Sequence, residues 1–192
     1  MSRIFGDALH AAFVVPDIDR EIARVLALGM GPVFVMRRIR VAARYRGERH
    51  DPLITAAFVY SGTMQLEFLQ QHDDTPSASI EFLARKPEGG LQHFAYFSDD
   101  FDASLQAASA KGQDFDVVQE YIHEDGTPYE IYIEPSNAPG SLLIQLVQHG
   151  PLEAMYNRMQ EICATWDGTD PVRNAIDLLP KDMQPASEAL SC

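Results

Sequence analysis

Cysteine is scarce in this 192-residue chain: only Cys163 and Cys192 are present, the second being the last residue. Two thiols build neither a disulfide framework nor a cysteine zinc site, and the chain is expected in a reducing cytoplasm. Long apolar runs are also missing. No stretch approaches the ~18 residues that a membrane-spanning helix needs. The opening MSRIFGDALHAAF has no basic-then-apolar pattern, so no signal peptide is expected. Positive charge is in short supply, with 15 Lys and Arg against 28 Asp and Glu and a net charge of −13. Such a surface repels polyanions, which argues against a nucleic-acid partner. The 46% hydrophobic content nevertheless suffices for a folded core. The length fits one domain or two small fused halves.

The acidity is uneven. Residues 37–49 hold six arginines (37, 38, 40, 44, 46 and 49) and one glutamate, a local +5 within a −18 background. Two readings stay open for this stretch. One is a solvated edge strand that uses charge to block aggregation. The other is a clamp for a small anionic substrate, with Arg44 and Arg46 as the candidate binding residues.

An internal repeat organises the rest. DALHAAFVVPDIDREIARVLALG (7–29) overlies GLQHFAYFSDDFDASLQAASAKG (90–112) at a constant offset of 83, so that His10 falls on His93 and Gly29 on Gly112. Each copy reads as a strand, an Asp-rich turn, a helix and a closing Gly, with Asp17 and Asp100 at the helix N-caps. MQLEFLQQ (64–71) overlies LLIQLVQH (142–149), placing Glu67 on Gln145. Between these pieces lie strand-like runs at 32–45 and 53–62 in the first half, and at 114–123 and 129–135 in the second. The fold class is therefore α+β, two tandem strand–helix–strand–strand–strand modules over 5–72 and 88–149. A short helix starting near Thr75 or Ser77 joins them. Apolar residues at 152, 155, 159, 162 and 166 predict an amphipathic helix within 150–168, docking on the sheet or on a partner. An irregular tail is expected over 169–192.

Alternation along the strands puts His10, Glu67, His93 and Gln145 among apolar neighbours, at equivalent positions of the two copies. Burying Glu67 without a partner is costly, and a shared cation removes that cost. If pseudo-two-fold symmetry relates the halves, the four side chains converge on one divalent metal.

With LHAAFVVPDID, MQLEFLQQ, LQHFAYFSDDFD and IYIEPSNAPGSLLIQLVQ, the chain resembles the vicinal oxygen chelate superfamily of glyoxalases, methylmalonyl-CoA epimerases, extradiol dioxygenases and bleomycin-resistance proteins. The resemblance covers residues 5–149 and lies nearest the epimerase and glyoxalase branch. It implies two βαβββ modules curled into an open half-barrel, a metal held by His10, Glu67, His93 and Gln145, and a homodimer. It implies Zn, Ni, Co, Mn or Fe as the metal, polarising a substrate with two neighbouring oxygens. A small carbonyl compound, such as a coenzyme A thioester or thiol adduct, would be enolised in an isomerase or lyase reaction.

Two departures from that pattern matter. Gln145 stands where those branches carry Glu, and a neutral amide is no general base. The epimerases take a further Glu from the third strand of the first module, where this chain has Ile54 or Thr55. Glu67, Tyr132, His123 and Glu130 are therefore the candidate acid and base groups, and Thr55 joins the arginines as a candidate substrate contact. Two other readings remain. His10, His93 and Glu67 have the composition of an Fe(II) dioxygenase triad. A resistance-type protein would bind a small molecule without turning it over.

Overall fold

Alternating ALHAAFV forms strand β1 (Ala8–Val14), and Asp17 then starts helix α1 (Ile18–Ala27) by accepting the Arg20 backbone N–H at 3.0 Å. Gly29, at φ +78°, lets the chain leave that helix. The second copy repeats this geometry. Strand β7 (Gly90–Ser98) leads to Asp100, whose carboxylate accepts the Ala103 N–H at 2.9 Å at the start of α3 (Phe101–Ser109). The computed structural model describes residues 2–180.

The first copy continues through β2 (Val33–Arg40), a short hairpin β3 (Ala43–Tyr45) and β4 (Glu48–His50), β5 (Leu53–Ser61) and β6 (Met64–Gln71). Helix α2 (Ala78–Arg85), capped by Ser77, connects the copies. The second copy continues through β8 (Phe115–Ile122), β9 (Pro128–Pro135) and β10 (Leu143–Gln148), and α4 (Pro151–Ala164) and β11 (Val172–Asn174) follow. All the strands join one mixed sheet in the order β11-β2-β5-β6-β1-β7-β10-β9-β8-β3-β4. β1 and β7 pair antiparallel at the centre, while β1 runs parallel to β6 and β7 parallel to β10. The half-barrel and its pseudo-two-fold axis follow from this order.

The arginine stretch departs from the sequence expectation. Residues 32–45 are not one strand. β2 ends at Arg40, two residues cross the open side of the barrel, and β3 pairs with β8 of the other copy (Arg44 opposite Glu120). Arg46 and Gly47 both have positive φ, +48° and +85°, and form the tight turn of the β3–β4 hairpin. The crossing is held by apolar burial. Val41 and Ala43 pack with Ile54 and Leu69 of the first copy and with Val118 and Tyr121 of the second.

Alternation along β5 divides the core. Ala57 and Val59 face outward under α1, with Ile18, Ile22 and Val25. Ala56, Phe58 and Tyr60 face inward and pack against Met155, Tyr156 and Met159 of α4. The apolar face of α4, offered by the sequence to the sheet or to a partner, thus lies on the chain's own sheet. The expected irregular tail is ordered in its first part: β11 adds to β2 in parallel, and a 3-10 turn over Ala175–Leu178 packs beside α4. Residues 181–192 of that expectation lie outside the described residues.

Met159 is completely buried in this contact. Met159→Ala should lower stability by about 2–5 kcal/mol in urea unfolding, the range for large-to-small core changes. A cost under about 0.5 kcal/mol would show that α4 does not dock as described.

Candidate metal centre

Register on the four central strands makes the site. On β6, β1, β7 and β10, one cross-strand row reads Gln65, His10, Ala95 and Gln145, and the next reads Glu67, Ala12, His93 and Leu143. The rows are related by the repeat: His10 exchanges with His93, Ala12 with Ala95, and Glu67 with Gln145. Ala12 and Ala95 are fully buried, and their methyl groups leave space between the longer side chains.

Three donors meet there. Glu67 Oε2 lies 3.1 Å from His10 Nε2 and 3.5 Å from His93 Nε2, and the two imidazole nitrogens are 3.4 Å apart. His10 and His93 are at most 1% exposed and Glu67 6%. The surrounding hydrogen bonds settle the tautomers. The Tyr60 hydroxyl donates to the Tyr156 carbonyl at 2.7 Å and so accepts from Gln65 Nε2 at 2.8 Å. Gln65 Oε1 then faces His10 Nδ1 at 2.9 Å, and that nitrogen must carry the proton. Gln92 Nε2 donates to the Ala78 carbonyl at 3.0 Å, which turns Gln92 Oε1 onto His93 Nδ1 at 3.0 Å. Both Nε2 lone pairs therefore point at the carboxylate. This explains why Glu67 Oε2 has no hydrogen-bond donor despite two nitrogens at ion-pair distance.

Three lone pairs converging in a buried space repel one another unless a cation lies between them. Donor separations of 3.1–3.5 Å match those of ligands around a first-row divalent ion, about 3.0–3.4 Å for bonds near 2.1 Å. The amide oxygens of Gln65 and Gln92, which accept from the two Nδ1–H groups, are the outer contacts that fix metal-binding histidines. The fourth position also fits. Gln145 Nε2 donates to Glu130 Oε2 at 2.7 Å and to the Tyr132 hydroxyl at 2.8 Å, leaving the buried Gln145 Oε1 without a partner. Burial lowers His93, which keeps it neutral and able to ligate.

The other expected site residues are dispersed. Tyr132 is buried, its ring 5.1 Å from His93, and burial raises its hydroxyl well above the usual phenol value. Glu130 is a second buried carboxyl, and burial with the nearby Glu67 charge moves it up to about 8. His123 is exposed at the outer wall, its ring 4.9 Å from Tyr129. The other three do not reach the site. Arg44 forms a two-point contact with Glu120 (2.6 and 3.1 Å) and donates to the Gly126 carbonyl. Arg46 pairs with Glu81 at 2.8 Å. Thr55 alternates to the outer face of β5, where its hydroxyl accepts the Arg38 N–H and meets His72 Nε2 at 2.7 Å. The arginines do not share one face, because their stretch spans three strands and a turn.

A cavity of about 800 Å³ opens from Glu67, Glu130 and Gln145 toward α4. Its wall is mainly aliphatic and aromatic, including Ile54, Phe58, Leu152 and Tyr156. Sequence reasoning missed this role for α4, because spacing shows an apolar face and not what it covers.

The pattern of the glyoxalase/bleomycin resistance protein/dioxygenase superfamily matches residues 9–132. The chain belongs to this superfamily. Similar solved structures include a methylmalonyl-CoA epimerase from Mycobacterium tuberculosis, at 23% identity and TM-score 0.51 over 80% of this chain and 95% of that one. A second methylmalonyl-CoA epimerase matches at 18% identity and TM-score 0.51, over 78% and 99%. A hypothetical protein from Bacillus halodurans matches at 17% identity and TM-score 0.52, over 75% and 94%. At these identities the likeness is one of fold. No match is found among curated proteins.

Protein purified without chelator should hold about one equivalent of a divalent transition metal by elemental analysis, and His10→Ala should lose it. Gln65→Ala should weaken metal binding about 10–100-fold in a competition titration, since it frees the His10 ring. A metal-free native protein that takes up none of these ions would refute the site.

Proposed function

We propose that this protein is a metal-dependent isomerase or lyase of the glyoxalase and epimerase kind, which enolises a small carbonyl substrate. The observation that supports this most is the pairing of the His10–Glu67–His93 cluster with Glu130, a second buried carboxyl facing the same cavity. The sequence lacks a carboxylate at position 145, and β9 supplies one from the neighbouring strand.

His10, Glu67 and His93 would hold the ion, with Gln145 Oε1 as a fourth donor. When bound, the metal supplies Lewis-acid stabilisation of negative charge on the substrate's neighbouring oxygens. Glu130 takes the proton from the carbon beside the carbonyl and can return it. Its carboxylate accepts from Gln145 Nε2 at 2.7 Å, next to the amide oxygen that would face the ion. Tyr132 accepts from that same amide and helps fix its orientation. The apolar wall excludes water from the acidified carbon. His123, at the exposed rim, is left with contact to the outer part of a substrate. Coenzyme A thioesters and thiol adducts are candidate substrates, and a homodimer in the cytoplasm is part of the proposal. Among the described residues no helix is long and apolar enough to cross a membrane.

A second reading rests on the same trio. Two histidines and one carboxylate match the facial triad of non-haem Fe(II) oxygenases. Fe(II)-dependent oxygen uptake with a catechol would favour it.

The test is solvent deuterium exchange at the carbon next to the carbonyl, followed by NMR with methylmalonyl-CoA, a medium-chain 2-oxo acid and a thiol adduct of a 2-oxo aldehyde. Glu130→Gln should lower the exchange rate at saturating substrate by about 10²–10⁴-fold while metal content stays at one equivalent. Unchanged exchange in that variant would remove Glu130 from the proton transfer. No exchange with any of the three, together with catechol-dependent oxygen uptake, would replace the enolisation reading by the oxygenase one.

A further inference from the structure

The arginine stretch does reach the cavity, through residues other than those expected. Arg37, Arg38 and Arg40 of β2 contribute to its wall. Two of them are neutralised within the chain. Arg37 donates to Asp19 at 2.9 Å, and Arg40 donates to Asp73 at 3.1 Å and to the Asp51 carbonyl at 2.9 Å. Arg38 is exposed, and among the described residues its guanidinium has no hydrogen-bond or ion-pair partner.

Its backbone is unusual as well. β2 carries one residue more than β5 between the pairs Met36–Ala56 and Ile39–Ile54, and Arg38 lies in that bulge at φ +49°. A non-glycine residue in the left-handed region is strained and needs support from its surroundings. That support is the buried Thr55 hydroxyl, which accepts the Arg38 N–H at 3.0 Å and is itself held by His72. Bulges of this kind re-aim a side chain. Arg38 is thus a free cation in the wall of a mainly apolar cavity that Glu67 and Glu130 also line.

We propose that Arg38 is the anion clamp of this cavity, and that the natural ligand is an amphipathic carboxylate. Its carboxylate meets Arg38 at the mouth, and an apolar body reaches inward to the metal-facing end. One unpaired guanidinium, its neighbours Arg37 and Arg40 being held by Asp19 and Asp73, balances one negative charge. The several phosphates of coenzyme A would need more cations than this rim offers. The inference narrows the substrate class of the preceding reading and rests on it for the identity of the cavity.

The test uses equilibrium binding and no turnover. N-phenyl-1-naphthylamine, an uncharged fluorescent probe, is bound to the purified protein and displaced by octanoate, by 1-octanol and by octanoyl-CoA. Octanoate should displace it on the order of tenfold more tightly than octanol, the scale of a charge-assisted two-point contact. Arg38→Gly should erase that preference without lowering the thermal midpoint, because glycine accepts φ +49° freely. Arg37→Gln should keep the preference. Failure of the probe to bind, equal displacement by acid and alcohol, or a preference that survives Arg38→Gly would each overturn the clamp. A fall in the midpoint of Arg38→Gly would reassign the residue to structure, and tighter displacement by octanoyl-CoA would reject the single-carboxylate ligand. A failure of enolisation alone would leave the octanoate preference in place, so the two readings fail separately.

Discussion

Three electron-pair donors buried at one point with no positive group among them is the constraint on which this structure turns. Two imidazole lone pairs and a carboxylate meet where the two βαβββ copies join, and the unpartnered amide oxygen of Gln145 belongs to the strand beside that of His93. In a low-dielectric interior such a cluster is stable only around a cation. The surrounding polar groups are arranged to that end. Gln65 and Gln92 hold protons on the outer histidine nitrogens, and Glu130 and Tyr132 hold the amide of Gln145 so that its oxygen is left free. The hydrogen bonds behind the donors extend to Tyr60 and to the backbone of α4, which ties the orientation of His10 to the docking of that helix.

The sheet gives this cluster its precision. Neighbouring strands fix the lateral positions of His10, His93, Glu67 and Gln145, and backbone hydrogen bonds resist sliding. Alanine at positions 12 and 95 keeps the space between them open. The open side of the barrel is handled differently. α4 fills part of it with Met155, Tyr156 and Met159, and the Val41–Ala42 crossing holds the two copies together on the far side. What remains is an apolar cavity with an acidic inner end and a cationic rim.

Much of the fold was legible beforehand because it is written twice. The two aspartate caps, the two closing glycines and the alternation of each strand recur at fixed offsets, and a repeat makes every local signal count double. The four candidate ligands were legible for the same reason, since a polar side chain at equivalent positions of two apolar strands is hard to attribute to chance. The arginine stretch had no counterpart in the second copy. Reading 32–45 as one strand-like run then misled, because a bulge, a two-residue crossing and a tight turn each reset the facing of the side chains. Arg44 and Arg46 accordingly found acidic partners outside the cavity, and the proposed clamp moves to Arg38.

Residue types and their spacing alone determined the pair of modules, the helix caps, the amphipathic fourth helix and the candidate ligands. These depend on local periodicity and on a repeat, both of which are properties of order along the chain. Tertiary structure decided which carboxyl stands beside Gln145, which of the three cavity-wall arginines has no partner among the described residues, and that the fourth helix lies on its own sheet. Each of those depends on which distant groups come within hydrogen-bonding or packing distance, and that is set by strand register and by competition among partners across the folded molecule.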